Sequence, residues 1–304
     1  RTSTVLQHYP LPGFDCNSTD SRRWWQAFNA PELRVVICCD EVEVFLFQRS
    51  WLPSSQPEIL SHQHYRLPGD VQESLPPEAA WQILRDVLAP LAGKRLHVVI
   101  ILSNQYTRWL VLPWQPEIQS QADREAYYRH GLLQSFGTEM EAWEIQAQVT
   151  GYGQNTIVNA LPPGLVKKLH SLFAEYALIP GVIAPAWMLS ANQVMHMIHQ
   201  QKLPYDGWVV SRESGSLTIG CLVQGNWQHI RYVPVDTQWR QTLYEVLLRE
   251  QVMHPEFASL PVFLPQAQLS GVSRESLAPF PLLDVQPGKW LGESFHQQLR
   301  RRLA

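Results

Sequence analysis

Side chains capable of metal or acid–base chemistry are scattered along this sequence and do not form one motif. Two histidine pairs are candidates: His196 and His199, spaced by three in a helical pattern, and His62 and His64 in a polar loop. A protein zinc site takes three or four ligands, and neither pair has a further ligand nearby in sequence. We therefore predict solvated histidines and no metal site.

Aspartates near strand ends raise a second possibility, because clustered carboxylates can bind two metal ions and hydrolyse a phosphodiester. The candidates are Asp40, Asp206 and Asp236. Asp206 fits a turn that starts a strand and Asp236 fits a helix cap, so a nuclease is disfavoured. The G-x-S-x-G, P-loop and G-x-G-x-x-G motifs of common enzymes do not occur in the sequence.

Length and composition describe a folded chain of 304 residues, with room for two domains. The formal net charge of −3 disfavours a dedicated nucleic-acid binder, because such a protein needs a basic face. The longest aliphatic run, at 98–102, is far below the roughly 18 residues that span a bilayer, so no membrane span is predicted. The four cysteines lack zinc-type spacing, which predicts free thiols in a reducing compartment.

Hydrophobic periodicity predicts hairpins alternating with helices after a polar, proline-rich arm at 1–32. In chain order we expect a hairpin at 34–48, a long loop at 49–76, a helix at 78–91, a hairpin at 96–112, a helix at 120–136, a hairpin at 142–161, and helices at 162–176 and 185–200 around a short strand near 181–183.

After Pro204 the pattern restarts. Three strands are predicted at 207–211, 217–223 and 227–233, then a helix capped by Asp236 or Thr237, short strands near 261–264 and 281–285, and an amphipathic helix at 293–303. Antiparallel strands before a crossover helix, repeated in both halves, are typical of a duplicated ribonuclease-H-like unit. We therefore predict an α/β protein with mixed sheets, whose two halves face each other across a cleft.

One stretch, residues 96–192, resembles a known family. It has a strand, a polar turn and a strand ending in Leu-Pro, then a polar helix, two strands of which the second ends T-I-V-N-A-L-P, the helix G-L-V-K-K-L-H-S-L-F, and A-L-I-P-G-V-I-A-P-A. This order is similar to the insert subdomain of the actin-like cytoplasmic proteins of type IV pilus and type II secretion platforms, the PilM/GspL type. The later segment W-V-V-S-R-E-S-G-S-L-T-I-G-C-L-V-Q-G-N-W is similar to the second actin-like half of that family.

The resemblance implies an actin-like fold, which is a pair of ribonuclease-H-like halves with an inserted α+β subdomain. The expected domains are the arm with the first part of lobe I at 1–95, the insert at 96–178, and the rest of lobe I with lobe II at 179–304. It also implies a cytoplasmic protein, peripheral to the inner membrane, that binds the tail of a small bitopic membrane protein. A motor ATPase and a second copy of the chain are further candidate partners, and nucleic acid is not.

An ATP site of that family needs two glycine-containing turns for the phosphates, each with an Asp that helps to hold Mg²⁺, and a glycine pair at the adenosine. The first turn, Cys38-Cys39-Asp40-Glu41, has Asp40 but no glycine. The second, at 211–216, has Gly215 but no Asp-x-Gly, and the third region, at 264–273, has only Gly271. These degenerate positions predict no nucleotide cofactor and no catalysis.

Candidate partner-binding residues are Tyr106, Arg108 and Trp109, where polar and aromatic groups alternate on the predicted second strand of the insert. Packing between strands is the alternative role for these side chains. Three functions stay open: a non-catalytic scaffold docked on an inner-membrane partner, an actin-like ATPase or ATP-binding protein of the same machinery, and a free-standing adaptor.

Overall fold

Three β-sheets organise the chain in the computed structural model, which describes residues 30–48, 58–67, 75–118, 120–149, 152–257, 259–265, 277 and 280–285. The strands are β1 (Glu32–Ile37), β2 (Glu41–Gln48), β3 (Glu58–Arg66), β4 (His97–Leu102), β5 (Arg108–Leu112), β6 (Glu144–Val149), β7 (Thr156–Leu161), β8 (Pro180–Pro185), β9 (Gly207–Glu213), β10 (Ser216–Val223), β11 (Asn226–Pro234), β12 (Val262–Pro265) and β13 (Leu282–Val285). The α-helices are α1 (Glu78–Leu88), α2 (Gln121–Phe136), α3 (Leu165–Glu175), α4 (Ala186–Gln201) and α5 (Trp239–Met253).

The first five-stranded sheet forms lobe I, with strand order β3-β2-β1-β4-β8. β1 and β2 are antiparallel, as are β2 and β3, while β1, β4 and β8 run parallel. The central strands β1 and β4 consist mainly of Val, Ile and Leu, which is typical of strands buried on both faces. One face of this sheet packs against the apolar sides of α1 and α3.

The second five-stranded sheet forms lobe II and repeats the first, with order β11-β10-β9-β12-β13. Its first three strands are antiparallel neighbours, and β9, β12 and β13 are parallel. Trp239, Leu243 and Leu247 of α5 pack on one face. Several residues of α4, among them Trp187, Val194 and Ile198, join the core on the other. The repeated strand order confirms the predicted duplication of a ribonuclease-H-like unit.

The three-stranded sheet, with order β5-β7-β6, carries α2 and forms the insert, which we define as residues 108–161. Ser120 caps α2 by accepting a hydrogen bond from the Asp123 amide at 3.1 Å, and Gly137 at φ +96° ends the helix, as predicted. Gly131 lets α2 approach β5 closely, because a Cβ there would lie 2.8 Å from a Leu112 methyl carbon.

Two sequence predictions are wrong. The predicted loop at 49–76 contains β3, a polar edge strand with one neighbour and therefore without a buried hydrophobic pattern. The hairpin at 96–112 does not form: β4 pairs with β1 and β8 in lobe I, whereas β5 pairs with β7. Strand β4 and helix α3 thus belong to lobe I, so the insert is shorter than the predicted 96–178.

The other predicted elements are found close to their expected positions wherever the chain is described. Most of the N-terminal arm and the predicted helix at 293–303 lie outside the described residues. No helix in the described ranges is both long enough and apolar enough to cross a bilayer.

Candidate functional site

Two turns occupy equivalent places in the two lobes, because each joins the first strand of its sheet to the second. In lobe I the turn between β1 and β2 is closed by Cys38, whose amide donates to the Glu41 carbonyl at 2.9 Å. The carbonyl of Asp40 in this turn accepts from the Leu67 amide at 2.7 Å. The turn is thus tied to its own lobe.

The turn of lobe II, between β9 and β10, depends on the glycine that the sequence singled out. Gly215 has φ +72°, in the left-handed region that favours glycine. Its carbonyl accepts a hydrogen bond from the Val235 amide at 2.9 Å. The backbone conformation of this tight turn therefore explains Gly215 without a phosphate ligand.

Glu213, the last residue of β9, carries a carboxylate from lobe II into contact with lobe I. Its Oε2 accepts a hydrogen bond from the backbone amide of Asn104 at 2.9 Å. Burial raises the pKa of Glu213 to about 7, hydrogen bonding to Asn104 and Ser103 opposes that rise, and the Asp40 charge adds to it. The cleft between the turns therefore already holds an acidic group of the chain itself.

Helix α4 makes further polar contacts near this carboxylate, one with each lobe. The side-chain oxygen of Asn104, which is fully buried, accepts from the backbone amide of Trp187 at 2.9 Å. Ser190 on α4 and Ser211 on β9 lie 3.0 Å apart, hydroxyl to hydroxyl. Each of these groups is buried, and a buried polar group that loses its partner is costly. The contacts therefore favour a closed cleft.

The thiols at the first turn are poor nucleophiles. Burial, with the nearby carboxylates, raises the pKa of the Cys38 thiol well above its usual range and that of Cys39 to about 12. Both thiols are therefore protonated at neutral pH, and only a thiolate attacks efficiently. Tyr106 lies beside them, donating its hydroxyl to the Cys38 carbonyl at 3.0 Å, and burial raises its pKa as well.

The three predicted partner-binding residues do not form one surface. Tyr106 lies in a short 3₁₀ turn, not on a strand, and is 1% exposed, while Trp109 on β5 is 4% exposed. Arg108 donates to the carbonyls of Gln105 and Thr107. Tyr106 and Trp109 are thus packed inside the chain.

Trp109 belongs to a stack of three indole rings where the insert meets lobe II. Its ring centroid lies 5.1 Å from that of Trp187, which lies 4.9 Å from that of Trp227, both edge to face. Next to this stack, the backbone amide of Asn155 in the insert donates to the side-chain oxygen of Asn226 at 3.0 Å. The side-chain nitrogen of Asn155 donates to the Trp227 carbonyl at 2.8 Å. We call these contacts the tryptophan junction.

The predicted histidine pairs each have local partners. His62 Nε2 lies 3.3 Å from a carboxylate oxygen of Glu43, and His64 Nε2 lies 2.9 Å from one of Glu41. His199 is within 3.4 Å of the Tyr205 hydroxyl. Within the described ranges no three His, Cys, Asp or Glu side chains are grouped so as to hold a metal ion.

The aspartates considered for a nuclease serve turns. Asp206 accepts a hydrogen bond from the Gln224 amide, and Asp236 accepts one from the Gln238 amide at the start of α5. Asp40 alone lies in the cleft, and Gly271 lies outside the described residues.

The sequence analysis did not identify Glu213 and Asn104, the two residues whose hydrogen bond joins the lobes across the cleft. Glu213 stands in the segment where the resemblance calls for Asp-x-Gly, so an acidic residue in that turn was an available signal. Its partner is 109 positions away, and no local pattern links the two.

The strand order of the two lobes, with an inserted subdomain in the first, defines an actin-like fold. Neither a known family profile nor a curated relative matches this sequence. Solved structures, however, are similar along nearly the whole chain.

One of these structures is the PilM–PilN type IV pilus biogenesis complex, at 14% identity and a TM-score of 0.59, covering 91% of this chain and 99% of the other. A second is the cytoplasmic domain of EpsL, an inner-membrane component of the type II secretion system of Vibrio cholerae, at 13% identity and a TM-score of 0.55, with 90% and 94% covered. A third is a Bacteroides thetaiotaomicron protein with an actin-like ATPase fold and unknown function, at 12% identity and 0.53, with 90% and 96% covered. The actin-like fold and the resemblance to the PilM/GspL type are thereby confirmed.

Proposed function

We propose that this chain is a non-catalytic actin-like scaffold that docks on a small bitopic inner-membrane protein in a type IV pilus or type II secretion-like machine. Two solved structures with the same fold support the choice of machine, since one is a pilus biogenesis complex and the other belongs to an inner-membrane secretion component. In this proposal the protein works at the cytoplasmic face of the membrane, with a motor ATPase and a second copy of the chain as further partners.

The Glu213 carboxylate in the cleft is the observation that carries the non-catalytic part of the proposal. It binds the Asn104 amide, and the Asp40 side chain is close enough to raise its pKa. A triphosphate placed between the turns would have to break this contact of Glu213 with lobe I, because the side chain and the Asn104 amide occupy the space between the lobes. The first turn also lacks the glycine that lets backbone amides wrap a phosphate.

An actin-like ATPase is the second candidate, and a nucleotide titration separates the two. We expect isothermal calorimetry with Mg-ATP to give no saturable binding up to about 1 mM and a phosphate-release assay to give no turnover. Binding with a micromolar Kd, or measurable hydrolysis, would favour the ATPase. Repeating the titration with Glu213→Gly reports whether the carboxylate alone blocks the cleft.

The membrane partner is tested separately, against the free-standing adaptor. The chain, expressed in its own host with an affinity tag, is expected to fractionate with the inner membrane and to copurify with a single-span protein. A synthetic peptide of that protein's cytoplasmic tail should then bind the purified chain in solution. A chain that stays in the soluble fraction, with no such partner, would favour the adaptor.

A further inference from the structure

The sheet of the insert ends in strand β6, whose outer side has no neighbour among the described strands. The strand at the other edge, β5, carries Trp109 of the tryptophan junction and lies beside β11 of lobe II. Along β6 the side chains of Gln146 and Ala147 are exposed, so the middle of this edge is open. An unpaired edge presents backbone N–H and C=O groups that pair readily with another strand.

The edge of β6 lacks the features by which proteins prevent such pairing, which are charged side chains, prolines and β-bulges. Positions 145–149 contain no charged residue and no proline, and the register with β7 is continuous from Glu144 to Val149. The end strands of the lobe I sheet differ, since β3 has a register shift and a charged residue at each end, and β8 begins and ends with proline. The composition of β6 is therefore that of a strand with a neighbour on both sides.

The side chains of β6 alternate between two uncharged sets, which makes the strand complementary to itself. Ile145 and Ala147 lie on one face, where they line a groove against α2, and Gln146 and Gln148 lie on the other. A two-fold axis through any residue of the strand places odd-numbered positions of one copy opposite odd-numbered positions of the other, and even opposite even. Apolar groups then meet apolar groups, and glutamines meet glutamines.

The charges beside the edge are balanced. Two arginines of α2, Arg124 and Arg129, and the glutamate Glu125 line the groove, and Glu144 begins β6. A copy of the same surface is therefore not repelled by an excess of either sign. A strongly charged peptide, in contrast, finds no excess of opposite charge here, so the balance favours a second copy as the occupant.

We propose that β6 pairs antiparallel with β6 of a second copy of this chain, which joins the two inserts into one six-stranded sheet. The order β5-β7-β6 then continues as β6-β7-β5 of the copy. The assembly is closed at two copies, because the pairing uses both open edges and each β5 stays beside its own lobe II. The second copy is a partner in the proposed function, on which this inference builds, whereas the surface itself is argued from the open edge.

The test measures the mass and the backbone protection of the whole chain as a function of its concentration. A six-residue edge makes a small interface, so sedimentation velocity between about 1 µM and about 200 µM should show a monomer–dimer equilibrium with a micromolar Kd. Hydrogen exchange at the amides of 144–149 should be fast at the low concentration and slow at the high one, because pairing with the copy protects the edge.

Charged variants at one exposed position make the test specific. Ala147→Lys and Ala147→Glu should each weaken the dimer at least tenfold, because the two-fold axis brings the like charges of the two copies together. An equimolar mixture of the two variants should dimerise again, since opposite charges then meet. Ala174→Lys, at an exposed position of α3, is the matched control and should leave the Kd unchanged. Circular dichroism and the thermal midpoint establish that each variant is folded.

Several results would overturn the proposal. A chain that stays monomeric over this range, or a dimer that Ala147→Lys leaves intact, would exclude β6 as the dimer contact. Slow exchange at 144–149 in the monomer would assign the edge to another segment of the same chain, and protection that appears only with the membrane partner's tail would assign it to that tail. The nucleotide titration and the membrane fractionation are unaffected by any of these results, so the proposed function and this inference fail separately.

Discussion

The substitution Glu213→Gln tests whether the cleft holds a carboxylate that is better neutral than charged. Glutamine has nearly the shape of the protonated side chain and can still accept the hydrogen bond from the Asn104 amide. The variant therefore removes the charge while leaving the contact between the lobes. The difference in free energy of unfolding between the variant and wild type should therefore depend on pH, and the raised pKa of Glu213 determines its direction.

The folded-state pKa of Glu213 is about 7, against an ordinary value of 4.5. Between these values the folded chain keeps a proton that the unfolded chain has released, so the free energy of unfolding falls as the pH rises from about 4.5 to 7, and is flat above. At about 1.4 kcal/mol per pKa unit the full effect is about 3 kcal/mol. Glu213 keeps part of its surface in solvent, which reduces the expected effect to about 2 kcal/mol.

Urea denaturation followed by tryptophan fluorescence, at four pH values from 5 to 8, measures this difference. Glu213→Gln should match wild type within about 1 kcal/mol at pH 5 and exceed it by about 2 kcal/mol at pH 8. Glu175→Gln, at an exposed position near the end of α3, is the control and should show no such trend. A Glu213→Gln difference that is constant with pH, or a variant less stable than wild type at pH 8, would refute the reasoning.

Two further predictions concern packing and a buried charge. Gly220→Ala should destabilise the chain by about 2 kcal/mol in urea denaturation, because its Cβ would lie 2.6 Å from an indole carbon of the tryptophan junction. The control Gly181→Ala, whose Cβ would have no contact under 3.5 Å, should stay within about 0.5 kcal/mol of wild type. Equal effects of the two substitutions would contradict this account. Arg231→Ala should lower the free energy of unfolding by about 2 kcal/mol in thermal unfolding, because Glu250, 1% exposed and 3.1 Å from Arg231, would lose its cation. Adding Glu250→Gln should restore most of the loss, since no buried charge then remains unpaired. No recovery in the double variant would argue against the ion pair.

Local patterns predicted much of this fold because many of its contacts are local. The pairs β1–β2, β6–β7 and β10–β11 join strands adjacent in the chain, and each has a short turn between apolar runs. The cap at Ser120 and the stop at Gly137 depend on one or two residues each. The duplication was visible because the same order of hairpin and crossover occurs twice.

The errors arose where distant contacts decide the structure. A short turn separates β4 from β5, which is the spacing of a hairpin in a sequence. The two strands nevertheless pair with other strands, β4 with β1 and β5 with β7. β3 is an edge strand in which six of nine residues are Glu, Ser, Gln, His or Arg, so it lacks the alternation that marks a half-buried strand. The contact of Glu213 with Asn104 joins the two lobes and is invisible to any short window.

The tryptophan junction has a mechanical consequence for a two-lobed body. The indole rings and Asn155 fasten the insert to β11 of lobe II, although the insert is spliced into the chain of lobe I. A load applied to the insert is therefore transmitted to lobe II through these aromatic and hydrogen-bond contacts. A partner that pulls on the insert therefore displaces lobe II together with it.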